Sequence, residues 1–215
     1  MMPIQEIAMF AESHATVRGQ RPSLPDARAS LQAHLMSHAL GYANDALFAH
    51  LLAGWTLGQG SLPAHLGLGS EWFGRLLERH FPRLRWQPPG LADTAADRHE
   101  RALEFDDLAA LLTLYADREV EGSFAMARIV AEGCLGGDHL WQDLGLPSRR
   151  ELTALMLRNF PRLAAENTQD MRWKKFLYRR LCEMEGLIAC RSPTCEACCD
   201  YAACFVPAGA GAKGA

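Results

Sequence analysis

Apolar positions along the chain recur at helical rather than strand spacing. In 148–159, Leu152, Leu155, Met156 and Asn159 fall at steps of three and four, which places them on one face of a helix. Ser148-Arg-Arg-Glu151 reads as the capping box that starts it: the serine accepts from an orphan first-turn amide and the glutamate reaches back. Pro161 stops it by pushing its predecessor out of the helical region. Ala29 to Leu40 and Phe105 to Tyr115 carry the same kind of pattern. A last helix is expected from Asn167 to about Glu185, with Trp173, Phe176, Leu177, Leu181, Met184 and Ile188 on one stripe and Arg172, Lys175 and Arg179 on another face. Alternating apolar and polar runs of strand length are missing, and valine and isoleucine are scarce beside alanine and leucine. The expected fold class is therefore all-α.

The chain also matches itself at an offset of about 78 residues. Ala49-His-Leu-Leu-Ala53 faces Ala127-Arg-Ile-Val-Ala131, Leu66-Gly-Leu68 faces Leu144-Gly-Leu146, and Phe81-Pro-Arg-Leu84 faces Phe160-Pro-Arg-Leu163 after one inserted residue. Each copy, 49–84 and 127–163, reads as helix, glycine-rich turn, helix and proline stop, with Ser70 and Pro82 as cap and stop of the first. The polar residues do not repeat: His50 faces Arg128, and His80 faces Asn159. An internal duplication that packs two apolar stripes into one core explains this better than a duplicated active site. The expected organisation is one helical domain over 1–189, an irregular cysteine-rich metal-binding segment over 190–206, and a glycine- and alanine-rich tail over 207–215 expected to be disordered.

Composition narrows the function. Of 215 residues 49% are hydrophobic and 22% charged, which suits a globular core. The net charge of -3, with only three lysines, removes the usual electrostatic basis for nucleic-acid binding. Met1 to Phe10 lacks the basic and apolar regions of a secretion signal, and the strongest apolar stretch, Leu108 to Ala116, ends at Asp117, short of a membrane span. A soluble cytoplasmic protein with neither membrane nor nucleic-acid partner is expected.

Five of the seven cysteines crowd between Cys190 and Cys204. Cys190, Cys195, Cys198 and Cys204 are spaced C-x4-C-x2-C-x5-C, with Cys199 beside the third and diverging from it. In a reducing compartment such a cluster points to metal or redox chemistry rather than structural disulfides. C-x4-C-x2-C opens a plant-type iron-sulphur site, although the fourth cysteine here follows sooner. A tetrahedral zinc ion and a Cys195-Glu-Ala-Cys198 dithiol switch remain as alternatives. Ordering a segment this long costs roughly 15 to 30 kcal/mol of backbone entropy. Between Cys190 and Cys204 only Tyr201 offers a large apolar side chain. Thiolate ligation, worth about 10 to 16 kcal/mol in small peptides, would offset much of that cost, so the segment is expected to order only with metal. Helical DNA glycosylases carry a similar cysteine cluster, but the phosphate-gripping hairpin and a nearby catalytic lysine are not evident here.

Asp138-His-Leu-Trp-Gln-Asp-Leu-Gly-Leu146, Phe160-Pro-Arg-Leu163, Met171-Arg-Trp-Lys-Lys-Phe-Leu-Tyr178, Leu181-Cys182-Glu183 and the cysteine cluster ending in Cys204-Phe205 together resemble the NifQ family of nitrogen fixation, over roughly the second half of the chain. The resemblance implies a carrier rather than a turnover enzyme. Such a protein holds an iron-sulphur cluster, takes up molybdenum and passes it to synthesis of the nitrogenase iron-molybdenum cofactor, with the nitrogenase iron protein and the cofactor-assembly scaffold as partners. The four cysteines are then the metal ligands. An iron-sulphur electron-transfer protein and a zinc-stapled interaction module are the competing functions.

Other residues admit a plain and a sharper reading. Arg172, Lys174, Lys175 and Arg179 form a solvated face, or a landing site for molybdate or an acidic partner. His139 starts a helix, or contacts molybdenum. Cys182 packs in the core, or serves with Cys199 as an accessory thiol. Cys134 aligns with Thr56, as a small buried side chain does. His34 and His38 share a helix face at a metal-binding spacing, but the sequence shows no third ligand beside them.

Overall fold

Helix boundaries follow local chemistry that the apolar pattern only partly reveals. A computed structural model of the chain describes residues 23–84 and 102–184. The first helix, α1 (Leu24–Ser37), starts five residues before the expected Ala29, because Ser23 caps it and Pro25 supplies the preset dihedral of a first turn. It is followed by α2 (Asp45–Thr56), a short 3-10 segment (Ala64–Gly67) and α3 (Ser70–His80). Gly69, at φ 77°, occupies the N-cap of α3, so Ser70 is its first helical residue rather than its cap. The second half comprises α4 (Ala102–Tyr115), α5 (Ser123–Cys134), α6 (Leu140–Asp143), α7 (Arg149–Asn159), α8 (Pro161–Glu166) and α9 (Trp173–Met184). Among the described residues there is no strand, and no helix is long and apolar enough to cross a membrane.

The expected start of α7 is present with a changed detail. The Ser148 hydroxyl accepts from the Arg150 amide at 3.1 Å and donates to the Glu151 carboxylate. Leu152, Leu155, Met156 and Asn159 form its buried face, as their spacing predicts. Pro161 ends α7 and also opens α8, a helix the pattern did not announce, because a proline's missing N–H costs nothing at a first helical position. The last helix begins six residues later than expected. Asn167 closes a turn instead, its Oδ1 accepting from the Met171 amide at 2.9 Å and its Nδ2 donating to the Met171 carbonyl at 3.0 Å.

Elements of the two halves have matching lengths. The helices α1 and α4 have 14 residues each and start 78 positions apart. At 12 residues each, α2 and α5 keep the same offset. The 11-residue α3 and α7 start 79 apart. Phe81 and Phe160, both buried before a proline, adopt nearly the same backbone, φ/ψ −133°/58° and −135°/54°. The core lies around α2 and α5, which bury Leu47, Phe48, Leu51, Leu52 and Trp55 from one half and Met126, Ile129 and Val130 from the other. Burial on nearly every side explains their continuous apolar sequence, whereas the surrounding helices keep one polar face. α1 packs on α2, α4 packs on α5, and α9 lies against α4.

Candidate functional site

The stretch Gly136–Asp143, formed by the end of the loop after α5 and by α6, wraps around a buried cation from α9. Lys174 Nζ donates to the Gly136 carbonyl at 3.0 Å, the Asp138 carbonyl at 2.7 Å and Asp143 Oδ2 at 2.6 Å. Its side chain is 9% exposed and that of Asp143 3%. Three acceptors match the three ammonium protons, so the charge is paired and fully hydrogen-bonded, the condition under which a lysine is tolerated in an interior. Asp143 also accepts from the Ser61 hydroxyl at 3.1 Å and from the Asp138 amide. The loop after α2 joins the same junction: the Ser61 amide donates to the Asp143 carbonyl at 2.8 Å. Gly136 has to be glycine here, because a Cβ would stand 2.2 Å from Asp143 Oδ1. The Lys174–Asp143 pair thus joins the loops of both halves to α9, the helix that leads towards the cysteine-rich segment.

The basic stretch is therefore divided. Lys174 turns inward, while Arg172 and Lys175 are half-buried and Arg179 is exposed. Arg179 Nε lies 2.8 Å from Glu183 Oε1, and Arg180 pairs with Glu183 at 2.6 Å and Glu166 at 2.8 Å. Hydrogen bonds from Arg179 and Arg180 hold the Glu183 carboxyl below its ordinary pKa. These groups border a cleft that Met171 and Phe176 also line. Its two arginines face two glutamates, so an anion binding there has to displace Glu183. His139 stands at the N-cap of α6, where its amide donates to Gln142 Oε1 at 3.3 Å, which is the helix-starting role. Cys134 ends α5 and is buried, and Cys182 is buried in the last turn of α9. Cys190, Cys195, Cys198, Cys199 and Cys204 lie outside the described residues. Among the described residues no three His, Cys, Asp or Glu side chains converge on a possible metal position.

Sequence reading passed over Asp143 and Ser61, although Lys174 carried a signal. It stands three, four and seven positions before Leu177, Tyr178 and Leu181, on the apolar side of α9. A second buried polar group was also missed. His80 Nδ1 lies 2.7 Å from Asp45 Oδ1, and Asn44 Nδ2 donates to Asn159 Oδ1 at 2.6 Å. These pairs tie α2 to α3 and to α7 inside the core.

The comparisons bear on the same segments. The sequence profile of the NifQ family matches residues 47–206, which takes in the Lys174 junction and all four spaced cysteines. Protein NifQ of Azotobacter vinelandii is 43% identical over 157 residues, covering 69% of this chain and 80% of the relative. Protein NifQ of Klebsiella pneumoniae is 39% identical over 158 residues, 69% of this chain and 90% of the relative. That of Rhodobacter capsulatus is 35% identical over 171 residues, 80% and 90% of the two chains. No solved structure gives a significant match. With the profile spanning both halves of the helical body and running on through the cysteines, the chain belongs to the NifQ family.

Proposed function

We propose that this protein is a carrier in nitrogen fixation. In this role it accepts molybdenum on an iron-sulphur cluster held by Cys190, Cys195, Cys198 and Cys204 and donates it to synthesis of the nitrogenase iron-molybdenum cofactor. The observation that carries the proposal is the family match through Val206, which includes the C-x4-C-x2-C-x5-C cluster. The donor set fits the group, because four soft thiolates within one short segment suit iron or another thiophilic metal. Molybdate is a hard oxoanion and a poor partner for thiolate alone; a cluster bound here supplies sulphide as a further soft donor. The nitrogenase iron protein and the assembly scaffold are the partners in this scheme. The protein works in the cytoplasm as a donor rather than by catalytic turnover.

The chain's own contribution is positional. Lys174 and Asp143 fix the start of α9 to the body, and Met184 at its end precedes Cys190 by only six positions. Matching helix lengths and the 78-residue offset further support a body built by duplication, with the cysteine segment added after the second unit. Replacing each of the four cysteines with serine in turn, and measuring bound iron and bound molybdenum separately, tests the division of labour. Three variants are expected to lose iron and molybdenum together, and one to keep iron while losing molybdenum. Four variants with normal content of both metals would refute the cysteine site.

A further inference from the structure

We propose that the cleft between the turn preceding α9 and the last turns of that helix binds a tetrahedral oxoanion, that Glu183 fills the anion's place in the empty cleft, and that molybdate enters the protein here. The assignment to molybdate rests on the carrier role proposed above; the anion site itself does not. The cleft has a volume of about 130 Å3, and Glu166, Thr168, Arg179, Arg180 and Glu183 supply its polar lining together with neighbouring turn residues. Sites for organic ligands usually exceed about 300 Å3, so this one suits a small ion.

The Glu183 carboxylate marks where an anion sits. Its Oε1 accepts from Arg179 Nε at 2.8 Å and its Oε2 from Arg180 Nη1 at 2.6 Å. Donors from two guanidinium groups therefore converge on one small anionic group, the arrangement by which arginines recognise carboxylates and phosphate-like anions. The carboxylate satisfies only part of this cradle. Arg179 Nη1 meets nothing better than the Met171 thioether at 3.7 Å, and Arg180 Nε is buried with no acceptor. A carboxylate brings two oxygens and one charge, whereas a tetrahedral oxoanion brings four oxygens and two charges. Glu183 leaves at little cost, because its side chain is 39% exposed in the last turn of α9 and exposed ion pairs contribute little to stability. Arg180 stays in place without it: Nη2 remains paired with Glu166 at 2.8 Å and donates to the Tyr115 hydroxyl at 3.4 Å. The two arginines stand eleven and ten positions before Cys190, so an anion held here lies on the helix that leads towards the cysteines.

The test is a molybdate titration of the full chain without iron, followed through the arginine Nε–H signals by NMR, with Arg179→Gln and Arg180→Gln variants assigning the two of interest. Both signals are expected to move along one saturation curve. Sulphate, of the same shape and charge, is expected to compete with molybdate, and acetate to bind more weakly by about tenfold or more. Glu183→Gln removes the internal competitor and is expected to tighten molybdate binding by about fivefold or more. Arg179→Gln is expected to weaken it by about tenfold or more. Arg179 makes hydrogen bonds only to Glu183 and Met171, and glutamine is a good helix former, so unchanged helicity by circular dichroism is expected in this variant. Molybdate taken up by the cysteines responds to neither substitution and is not displaced by sulphate. The proposal is overturned if Glu183→Gln fails to tighten binding, if Arg179→Gln fails to weaken it, or if sulphate in excess does not compete. It is equally overturned if acetate matches molybdate, as a docking site for an acidic partner would show, or if neither arginine signal moves at about 20 mM molybdate. The cysteine-to-serine variants are expected to keep this binding, so a failed cluster assignment and a failed anion site are told apart.

Discussion

Lys174 shows how one residue departs from the behaviour of its type. It belongs to the most basic stretch of the chain, yet three acceptors draw its ammonium inside. Replacing it with methionine leaves the Asp143 carboxylate buried without its cation. Lys174→Met is therefore expected to cost about 3 to 5 kcal/mol in urea unfolding. Adding Asp143→Asn, which removes the stranded charge, is expected to recover about 1 to 2 kcal/mol of that loss. Simply additive losses would show that the two groups do not act as a pair. His50 gives a pH-dependent counterpart. Burial, and then the charge of Arg28, lower its pKa from 6.5, while Glu151 opposes them. The folded state thus holds the proton more weakly than the unfolded chain does, and stability falls as the pH drops below 6.5 towards the folded-state value. Urea melts at about pH 7.5 and 5.5 are expected to show this loss, and His50→Gln to reduce it.

At the scale of elements, the longer helices were legible in the sequence, whereas the short α8 and several helix ends were not. The buried face of α7 and its serine cap follow directly from periodicity and capping chemistry. Ser148→Ala is expected to lower stability by about 1 kcal/mol in equilibrium unfolding, with no change in the slope of the transition. An unchanged midpoint would show that the cap is dispensable. Other boundaries depend on side chains with two possible uses. Pro161 can end one helix and begin the next, and the structure uses both properties. Asn167 can sit at a helix start or close a turn on itself, and its two bonds to Met171 decide the matter. Asn167→Ala is expected to cost about 1 to 2 kcal/mol by removing both. Neither choice can be read from apolar spacing, because the deciding partners are backbone atoms.

Across the described residues, α1 and α4 have 14 residues each and α2 and α5 have 12 each, and both pairs start 78 positions apart. One polar position that differs between the aligned segments serves core pairing on both sides: His80 pairs with Asp45, and Asn159, which it faces in the sequence, pairs with Asn44. The candidate ligands were legible as spacing because thiolate clusters are local in sequence. The Lys174 junction was not, because Ser61, Asp143 and Lys174 meet only after folding. The body thereby offers a fixed base for α9, beyond which the cysteines follow. The most direct test of the carrier role is elemental analysis, with an absorption spectrum, of the full chain reconstituted without oxygen using iron and sulphide and then loaded with molybdate. Brown protein containing iron, acid-labile sulphide and molybdenum, with all three lost when the four spaced cysteines are changed to serine, is the expected result. Colourless protein that retains neither iron nor sulphide, or holds one zinc in their place, would contradict it.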